Sequence, residues 1–505
     1  MASPGQPAPD NNSKGQQHGP CDTSPLPITS LVDEARTATA REHEMTLWQA
    51  IRLCPKAIGW SIVLSCAIVM EGYDNALIGS FYAFPAFQKK FGQLLPHHDG
   101  TGTAYELAAS WQAALSGAMN AGQLMGLLLN GVLSERIGYK KTMLVALSAV
   151  VCLVPILFFA QNVRMLVVGE LLLGVPLGIF QTLSVTYASE VCPVVLRGYL
   201  AAYVNLAWVM GQILALGILK GLIHNETEWS YRIPFTIQWG WPVVIIAAAM
   251  FAPESPWWQV RHGMVAEAEE TVRRLVSNKD DSEEDAMSIN VKETVSLMVH
   301  TNQIEMEMSS GITYLDCFRG TNFRRTCISC GTWAIQNMCG AGLGAGEKPS
   351  ISWAIGSLLL VYVFAYNCSV GPMCYAAVSE QSSIRLRSKT VVLARALYLL
   401  VGVINSVIIP YMLNPTAWNW KGKAGLFWGS CCLLCVVWSY FCLPETKGRT
   451  YGELDVLFEE GTGARCFTNS TADPFKNGRD TSPADSALVA SSPLSPGAVT
   501  HMAEK

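Results

Sequence analysis

GVLSERIGYKK, at residues 131–141, joins two apolar runs at residues 111–133 and 142–159. Each run is long enough to cross about 30 Å of hydrocarbon as a helix. The junction predicts a tight turn at Gly138, because glycine adopts backbone conformations that other residues avoid. Its Arg and Lys side chains can pair with carboxylates and with the C-terminal end of a neighbouring helix. The stretch therefore predicts two membrane helices joined by a short, positively charged turn.

The composition also indicates a membrane protein. Of the 505 residues, 50% are hydrophobic and 15% are charged, which is too apolar for a soluble chain of this length to bury in one core. The 15 Trp and 42 Gly suit a bilayer, because Trp favours the headgroup interface and small residues let helices approach closely. A net charge of −4 without a basic face argues against a nucleic-acid partner. We expect an all-α polytopic membrane protein in contact with lipid.

Neither the cysteines nor the acidic residues indicate a catalytic centre. Most of the 16 cysteines lie in apolar runs, where they serve as small core residues. Cys327 and Cys330 form a lone CxxC motif, without the second pair or the histidines of a zinc site. No nucleophile and base are paired in the sequence. The sequence predicts no metal, no cofactor and no enzymatic activity.

The apolar runs fall into two blocks. The first block has six runs, at residues 58–84, 111–133, 142–159, 166–188, 200–223 and 235–251. The second has four, at residues 326–345 (a weak one), 353–378, 391–412 and 425–443. We therefore predict about ten spans, in an N-terminal half at 46–252 and a shortened C-terminal half at 326–443. A polar linker at 253–325 joins the halves and contains an amphipathic segment at 265–275. The arm at 1–45 and the tail at 444–505 have the composition of disordered segments.

Positive charges beside the spans fall on alternate connections, which predicts that both termini are cytosolic. These charges are Arg136, Lys140, Lys141, Arg197, Arg261, Arg273, Arg274, Arg385, Arg387, Lys389, Lys447 and Arg449. The sequon Asn225-Glu-Thr227 then lies on the outer side, where Asn225 is a candidate glycosylation site; use and non-use of this sequon are equally open.

Several motifs resemble those of a known family. GVLSERIGYKK resembles the G-x-x-x-[DE]-R-x-G-[RK]-[RK] signature of the major facilitator superfamily. EVCPVVLRG at 190–198, PESPWW at 253–258 and PETKGR at 444–449 resemble its sugar porter family. This resemblance implies the major facilitator fold and gating roles for Gly131, Glu135, Arg136, Gly138, Lys140, Glu190, Arg197, Glu254, Glu380, Arg385 and Arg387. The last three belong to SEQSSIRLR at 379–387, where Ser382 replaces the usual proline, so that a rigid turn is lost.

Within that family, residues 45–459 resemble the fungal maltose and α-glucoside permeases. The shared motifs are MEGYD at 70–74, YRIPF at 231–235, TWAIQN at 332–337, LRSKTVVLAR at 386–395 and LNP at 413–415. One gap interrupts the resemblance: CGAGLGAGEKP at 339–349 leads directly into what resembles the tenth span, so the eighth and ninth spans are missing. Removing two spans keeps the orientation of later helices. A missed exon and a genuinely shortened transporter both explain the gap.

Two carboxylates, Asp74 and Glu71, lie inside the first apolar run. Because an ion is costly in hydrocarbon, we expect them to face a wet cavity where they bind protons reversibly. The resemblance implies a role in proton coupling for Asp74 first and Glu71 second. Alternatively, one of them only pairs with a buried cation such as Arg395. Related permeases tend to have a glutamate at the position of Gln123, so one protonatable group is absent here.

Sugars are bound by amide and hydroxyl groups together with a flat aromatic ring. The resemblance places Gln336 and Asn337 at paired amide positions, Asn205 at a further amide position and Tyr375 at an aromatic one. Each of these side chains, taken alone, could equally be a polar contact between membrane helices.

The leading hypothesis is proton-coupled transport of an α-glucoside or related small hydroxylated solute by alternating access. The expected partners are that sugar, protons and the lipid bilayer, and the expected location is the plasma membrane, with an internal membrane such as the vacuolar one left open. An exporter of a fungal metabolite with the same fold is an alternative, because a fold does not determine its cargo. A non-transporting nutrient sensor is another, although its cytosolic tails are usually much longer than the one here.

Overall fold

The computed structural model describes residues 45–96, 103–225, 227–276, 290–309, 314–338, 349–381, 386–414, 417–446 and 451–469. Within these residues the regular secondary structure is helical apart from one antiparallel strand pair, in which Gln93–Pro96 (β1) pairs with Thr103–Glu106 (β2). The arm predicted at residues 1–45 lies outside the described residues except for Met45.

The helices of the first half follow the predicted apolar runs. They are α1 (Leu47–Leu53), α2 (Pro55–Ser65), α3 (Ala67–Phe81), α4 (Pro85–Phe91), α5 (Ala109–Ile137), α6 (Tyr139–Phe158), α7 (Val163–Val191), α8 (Val194–Leu222), α9 (Trp229–Ile237) and α10 (Gly240–Ala249). The first and sixth predicted spans each form two consecutive helices, α2 with α3 and α9 with α10. The sixth is interrupted at Gln238 and Trp239, which places a polar side chain inside the bundle.

The linker and the second half are also largely helical where the structure describes them. Their helices are α11 (Pro256–Arg261), α12 (Val265–Leu275), α13 (Val291–Ser309), α14 (Gly320–Met338), α15 (Pro349–Cys368), α16 (Val370–Gln381), α17 (Arg387–Leu413), α18 (Ala424–Cys442) and α19 (Tyr451–Glu459). The predicted amphipathic segment coincides with α12. The weak predicted span coincides with α14, which begins at Gly320, ahead of residue 326.

The hydrophobic core belongs almost entirely to the first half. One continuous cluster runs from Ala50 to Met298, whereas the second half contributes two clusters of a few residues each. About two thirds of the apolar stretch in Pro55–Phe81 is buried (67%), against 17% in Lys389–Leu413 and 17% in Ala424–Cys442. The two candidate spans of the second half are therefore less covered by protein than those of the first half, whose buried shares range from 28% to 67%, as expected if two helices are missing.

Close packing of α5 on α7 organises the first half. A Cβ atom added at Gly126 would lie 2.0 Å from the Val175 carbonyl oxygen, and one at Gly122 would lie 2.2 Å from the Leu171 carbonyl oxygen. Only glycine lets the two backbones approach so closely, which is how membrane helices gain packing contacts without a hydrophobic driving force. On another face α5 packs against α17, and α8 packs against α16, so these two pairs join the halves.

The prediction of a disordered tail is wrong for residues 451–469. Leu454, Leu457, Phe458 and Phe467 are buried against Ile328 of α14. Just before that residue, Arg325 donates a hydrogen bond to the Leu454 carbonyl oxygen at 3.1 Å and lies 4.3 Å from the centroid of the Phe458 ring. Composition misled here, because four apolar side chains suffice to anchor a short segment when a helix offers them a complementary face.

Six helices within the described residues are long and apolar enough to cross a membrane. They are Pro55–Phe81, Tyr139–Phe158, Val163–Val191, Ala202–Leu222, Lys389–Leu413 and Ala424–Cys442. The count of ten spans therefore stays a prediction.

That count can be tested by locating the two termini. We expect a tag at Met1 and a tag at Lys505 to be on the same, cytosolic side, because ten crossings return the chain to the side where it began. Protease protection of both tags in sealed vesicles measures this. Tags on opposite sides would show that α14 does not cross the membrane.

Candidate functional site

Three carboxylates lie at the centre of the first half. Asp74 is 1% exposed, Glu71 3% and Glu170 0%. The carboxyl group of Glu170, on α7, lies within hydrogen-bond distance of that of Asp74, on α3. Gln238, at the break between α9 and α10, donates a hydrogen bond from Nε2 to Asp74 Oδ1 at 2.6 Å. Asp74 and Glu71 are thus nearly inaccessible to solvent in this conformation, whereas the sequence predicted a wet cavity around them.

Glu170 is absent from the sequence-predicted site. It lies in the apolar run at residues 166–188, so the argument that selected Asp74 could have selected it too: an ionisable residue in an apolar span needs a reason. Its position near the start of that run obscured this signal. Gln123 of α5, where related permeases tend to have an acid, is buried as well.

Glu71 has a different environment from Asp74. It accepts a hydrogen bond from Gln181 Nε2 of α7 and interacts electrostatically with Arg395 of α17. The guanidinium carbon of Arg395 lies 4.6 Å from the ring centroids of both Trp333 and Tyr398. An electrostatic interaction of Glu71 with Arg395 agrees with the alternative interpretation for this carboxylate, which stays a prediction, and it acts between the two halves.

The two predicted sugar-binding amides on α14 differ in what they contact. Gln336 donates from Nε2 to the Gly371 carbonyl oxygen at 3.4 Å, while its buried Oε1 has no donor among the described residues. Asn337 donates from Nδ2 to the Tyr398 carbonyl oxygen at 2.9 Å, and its Oδ1 accepts from Asn405 at 3.3 Å. The Asn337 amide therefore holds α14 against α17, whereas Gln336 has one buried acceptor that no described donor satisfies.

Polar side chains of both halves meet near Asn337. A Cβ atom added at Gly402 would lie 3.0 Å from Asn337 Nδ2 and 3.3 Å from Asn120 Oδ1, so amides of both halves converge on this glycine. One turn before Asn120, Ser116 shares a hydrogen bond of 2.6 Å with the Tyr82 hydroxyl. Asn120 and Asn405 were not singled out from the sequence, because a lone amide in an apolar helix carries no specific signal.

The other two sugar-binding candidates remain apart. Asn205 is half-buried on α8, and among the described residues no hydrogen bond joins it to Gln336 or Asn337. Tyr375 lies on α16, but its side chain is outside what the structure describes. The contact of α8 with α16 does place the two helices side by side.

The predicted turn at Gly138 is present. Gly138 ends α5 with φ 93° and ψ 163°, a region that essentially only glycine occupies. Directly after it, the backbone N–H groups of Tyr139 and Lys140 donate to the Glu254 carboxylate at 2.8 and 3.1 Å. Burial raises the pKa of Glu254, and these N–H groups oppose that rise. A carboxylate thus caps the positive end of α6.

Lys140 makes the predicted contact with a helix end. Its Nζ donates to the Met250 carbonyl oxygen at 2.7 Å, just beyond the C-terminus of α10. Arg136, by contrast, is exposed and forms no ion pair with another described residue. Gly131 lies in an open position within α5, where nothing approaches an added Cβ atom.

Glu190 and Arg261 form a second group of polar contacts beside the turn at Gly138. Arg261 donates from Nη2 to Glu190 Oε1 at 3.0 Å and lies 3.6 Å from the Glu135 carboxylate. Glu190 also accepts from the Tyr139 hydroxyl at 2.9 Å and from Ser255. Sequence reasoning recorded Arg261 only as a charge beside the membrane. Its partners lie more than seventy positions away in the chain, so no local motif reveals them.

The remaining gating candidates lie wholly or with their side chains outside the described part of the chain. Arg385 lies outside the described residues, and the side chains of Arg197, Glu380 and Arg387 are outside what the structure describes. Asn225 is exposed in the connection between α8 and α9, where its Oδ1 accepts from the Thr227 hydroxyl at 2.8 Å. Its glycosylation stays a prediction.

The geometry of the turn gives a sharp test. We expect Gly138→Ala to destabilise the protein by about 1–3 kcal/mol, because alanine is strained at this φ and ψ and its Cβ would lie 2.6 Å from Glu254 Oε2. Gly131→Ala is the matched control, since it adds the same atom to open space in the same motif. Thermal unfolding of the two purified variants measures the difference. Equal melting temperatures would contradict a structural need for glycine at residue 138.

Comparison with known proteins gives similarity along most of the chain. The family described as "Sugar (and other) transporter" matches residues 60–344 and 342–458. The general alpha-glucoside permease of Saccharomyces cerevisiae (strain ATCC 204508 / S288c) is 36% identical over 518 aligned residues, covering 89% of this chain and 83% of that protein. Maltose permease MAL31 of the same yeast is 35% identical over 521 residues, covering 89% and 84%.

Solved structures confirm the major facilitator fold. The proton:xylose symporter XylE bound to 6-bromo-6-deoxy-D-glucose superposes with a TM-score of 0.56 at 19% identity, covering 80% of this chain and 99% of that chain. The inward open conformation of XylE from E. coli gives a TM-score of 0.54 at 20% identity, covering 79% and 99%. At such identities the likeness concerns the fold alone.

Proposed function

Because the chain belongs to the sugar (and other) transporter family, we propose that it moves an α-glucoside or a closely related sugar across the membrane together with protons. The observation that carries this proposal is the extent of its similarity to the general alpha-glucoside permease, which covers 89% of this chain. The protein is a transporter of the major facilitator fold and not an enzyme. Its substrate and its coupling to protons are the proposed part.

The sugar would bind between the halves. The buried Oε1 of Gln336 has no donor among the described residues, and Asn120 and Asn337 converge from opposite halves, so amides of both halves can contact one ligand. Asn205 and Tyr375 lie on the neighbouring pair α8 and α16 and would complete the site. A polyhydroxylated ligand matches such a lining, because each hydroxyl both donates and accepts.

Proton coupling would use the buried carboxylates of the first half. Asp74 and Glu71 lie on α3 at the centre of the bundle, and Arg395 connects Glu71 with the second half. A change of protonation there can alter the contact between the halves, which alternating access requires. Our proposal also locates the transporter in the plasma membrane, with Asn225 on the outer side, where its glycosylation stays a prediction and an internal membrane remains the alternative.

Counterflow in proteoliposomes tests the substrate class. We expect purified protein to exchange labelled maltose in a saturable manner, with inhibition by other α-glucosides and not by the β-linked disaccharide cellobiose. Exchange needs no gradient, so it reports sugar recognition separately from proton coupling. Absence of exchange for every α-glucoside offered, by protein that remains folded, would reject the proposed substrate class.

A further inference from the structure

Asp74 and Glu170 are the two most deeply buried carboxyl groups of the described chain, and they are in contact. Gln238 satisfies Asp74 Oδ1. Asp74 Oδ2 and both carboxyl oxygens of Glu170 find no donor among the described residues when both groups are treated as carboxylates. Three buried acceptors without a donor are costly, because each loses its hydrogen bonds to water.

One proton bound to the Asp74–Glu170 pair supplies the missing hydrogen-bond donor. Two carboxylates in contact repel each other and neither can donate, whereas a carboxylic acid and a carboxylate form an O–H···O⁻ hydrogen bond. Two acids that share a buried site therefore hold one proton between them, since both cannot ionise at that distance. The pair then carries a single negative charge, and Gln238 stabilises it on the Asp74 side.

Among the described residues, no cation fulfils this role instead. Glu71 has Arg395 as its electrostatic partner, but no lysine or arginine of the described chain acts on Asp74 or Glu170. The other ionisable neighbours are Glu71 and Tyr73, which interact with Asp74, and Tyr82, which interacts with Glu170. All of these are neutral or negative, so a bound proton is the charge that compensates the pair.

From this geometry we infer that Asp74 and Glu170 share one exchangeable proton, and that this pair is the binding site of the transported proton. The second statement rests on the proposed function. Loss of the proton leaves two anions in contact in an apolar bundle, so the pair must separate or admit water. Because Asp74 lies on α3 and Glu170 on α7, either response moves two helices relative to each other. Proton release is thereby tied to a conformational change.

Infrared difference spectroscopy tests the shared proton without any sugar. Full-length protein in lipid nanodiscs is titrated from neutral to alkaline pH, and we expect the loss of one carbonyl band of a buried carboxylic acid. That band should be absent in Asp74→Asn and Glu170→Gln and unchanged in Glu267→Gln, which alters an exposed carboxylate on α12. Glutamine keeps the shape of Glu170 and can donate a hydrogen bond to Asp74, so we expect the Glu170→Gln variant to stay folded. A melting temperature close to that of the wild type would confirm this. A wild-type band that persists in both variants, or no band in the wild type, would overturn the shared proton.

Transport assays then test whether the shared proton is the transported one. We expect Glu170→Gln to retain maltose counterflow, to lose accumulation driven by a proton gradient and to lose the pH dependence of the wild-type exchange rate. A purely structural role for Glu170 would leave that pH profile in place. Accumulation by Glu170→Gln at the wild-type level would overturn the assignment. If the wild type exchanges no α-glucoside, the proposed function fails and the assignment to transport fails with it, but the infrared result still decides whether the pair holds a proton.

Discussion

Replacing Asp74 with Asn is expected to abolish proton-driven sugar accumulation while leaving the protein folded in the membrane. The change removes a buried titratable group but keeps its shape, and an Asn oxygen can still accept the hydrogen bond from Gln238. With one proton per sugar, each pH unit of gradient supplies about 1.4 kcal/mol, or roughly tenfold accumulation. The variant should accumulate none, so that internal and external sugar equalise. Labelled sugar uptake in proteoliposomes under an imposed pH gradient measures this ratio.

The control for this experiment is Glu267→Gln, which neutralises an exposed carboxylate far from the bundle centre. It should accumulate sugar as the wild type does. Alkalinisation of the medium on adding sugar gives a second readout, because co-transported protons leave the outer solution. Undiminished alkalinisation by Asp74→Asn would show that Asp74 has no part in proton coupling.

Inserting two family-typical spans at the predicted gap in the second half is expected to increase transport. A version with a family-typical segment of two spans inserted after Gly340 should show higher uptake and higher surface abundance than the natural chain. The present second half buries only 17% of the apolar stretch in each of its two candidate spans, and any polar group that a missing neighbour leaves against lipid would cost kilocalories. A loss of about 1–2 kcal/mol in the free energy of unfolding is enough to change the abundance of a protein several-fold.

The measurement compares uptake per molecule at the cell surface, which separates folding from transport. A segment of equal length and hydropathy but scrambled order is the control, because it adds two spans without the family's packing residues. Equal uptake by the natural and restored versions would show that ten helices suffice. The family match supports the location of the gap, since its two parts meet at residues 342–344.

Much of the fold could be predicted from the sequence because the membrane acts on each segment separately. Apolar runs long enough to cross the bilayer coincide with helices α5, α6, α7 and α8, and a glycine between two such runs coincides with the turn at Gly138. These features depend on neighbours along the chain, and local patterns report them well.

Contacts between distant segments were decided only by tertiary structure. Gln238 reaches Asp74 across 164 positions, Arg261 reaches Glu190 across 71, and residues 451–469 fold onto α14 despite a composition typical of disorder. Glu170 belongs to the candidate site because α7 packs beside α3. Hydropathy reveals that a residue is inside the membrane, but not which helix faces it. That depends on how closely backbones approach, and here the glycines between α5 and α7 set the approach, because no side chain keeps those helices apart.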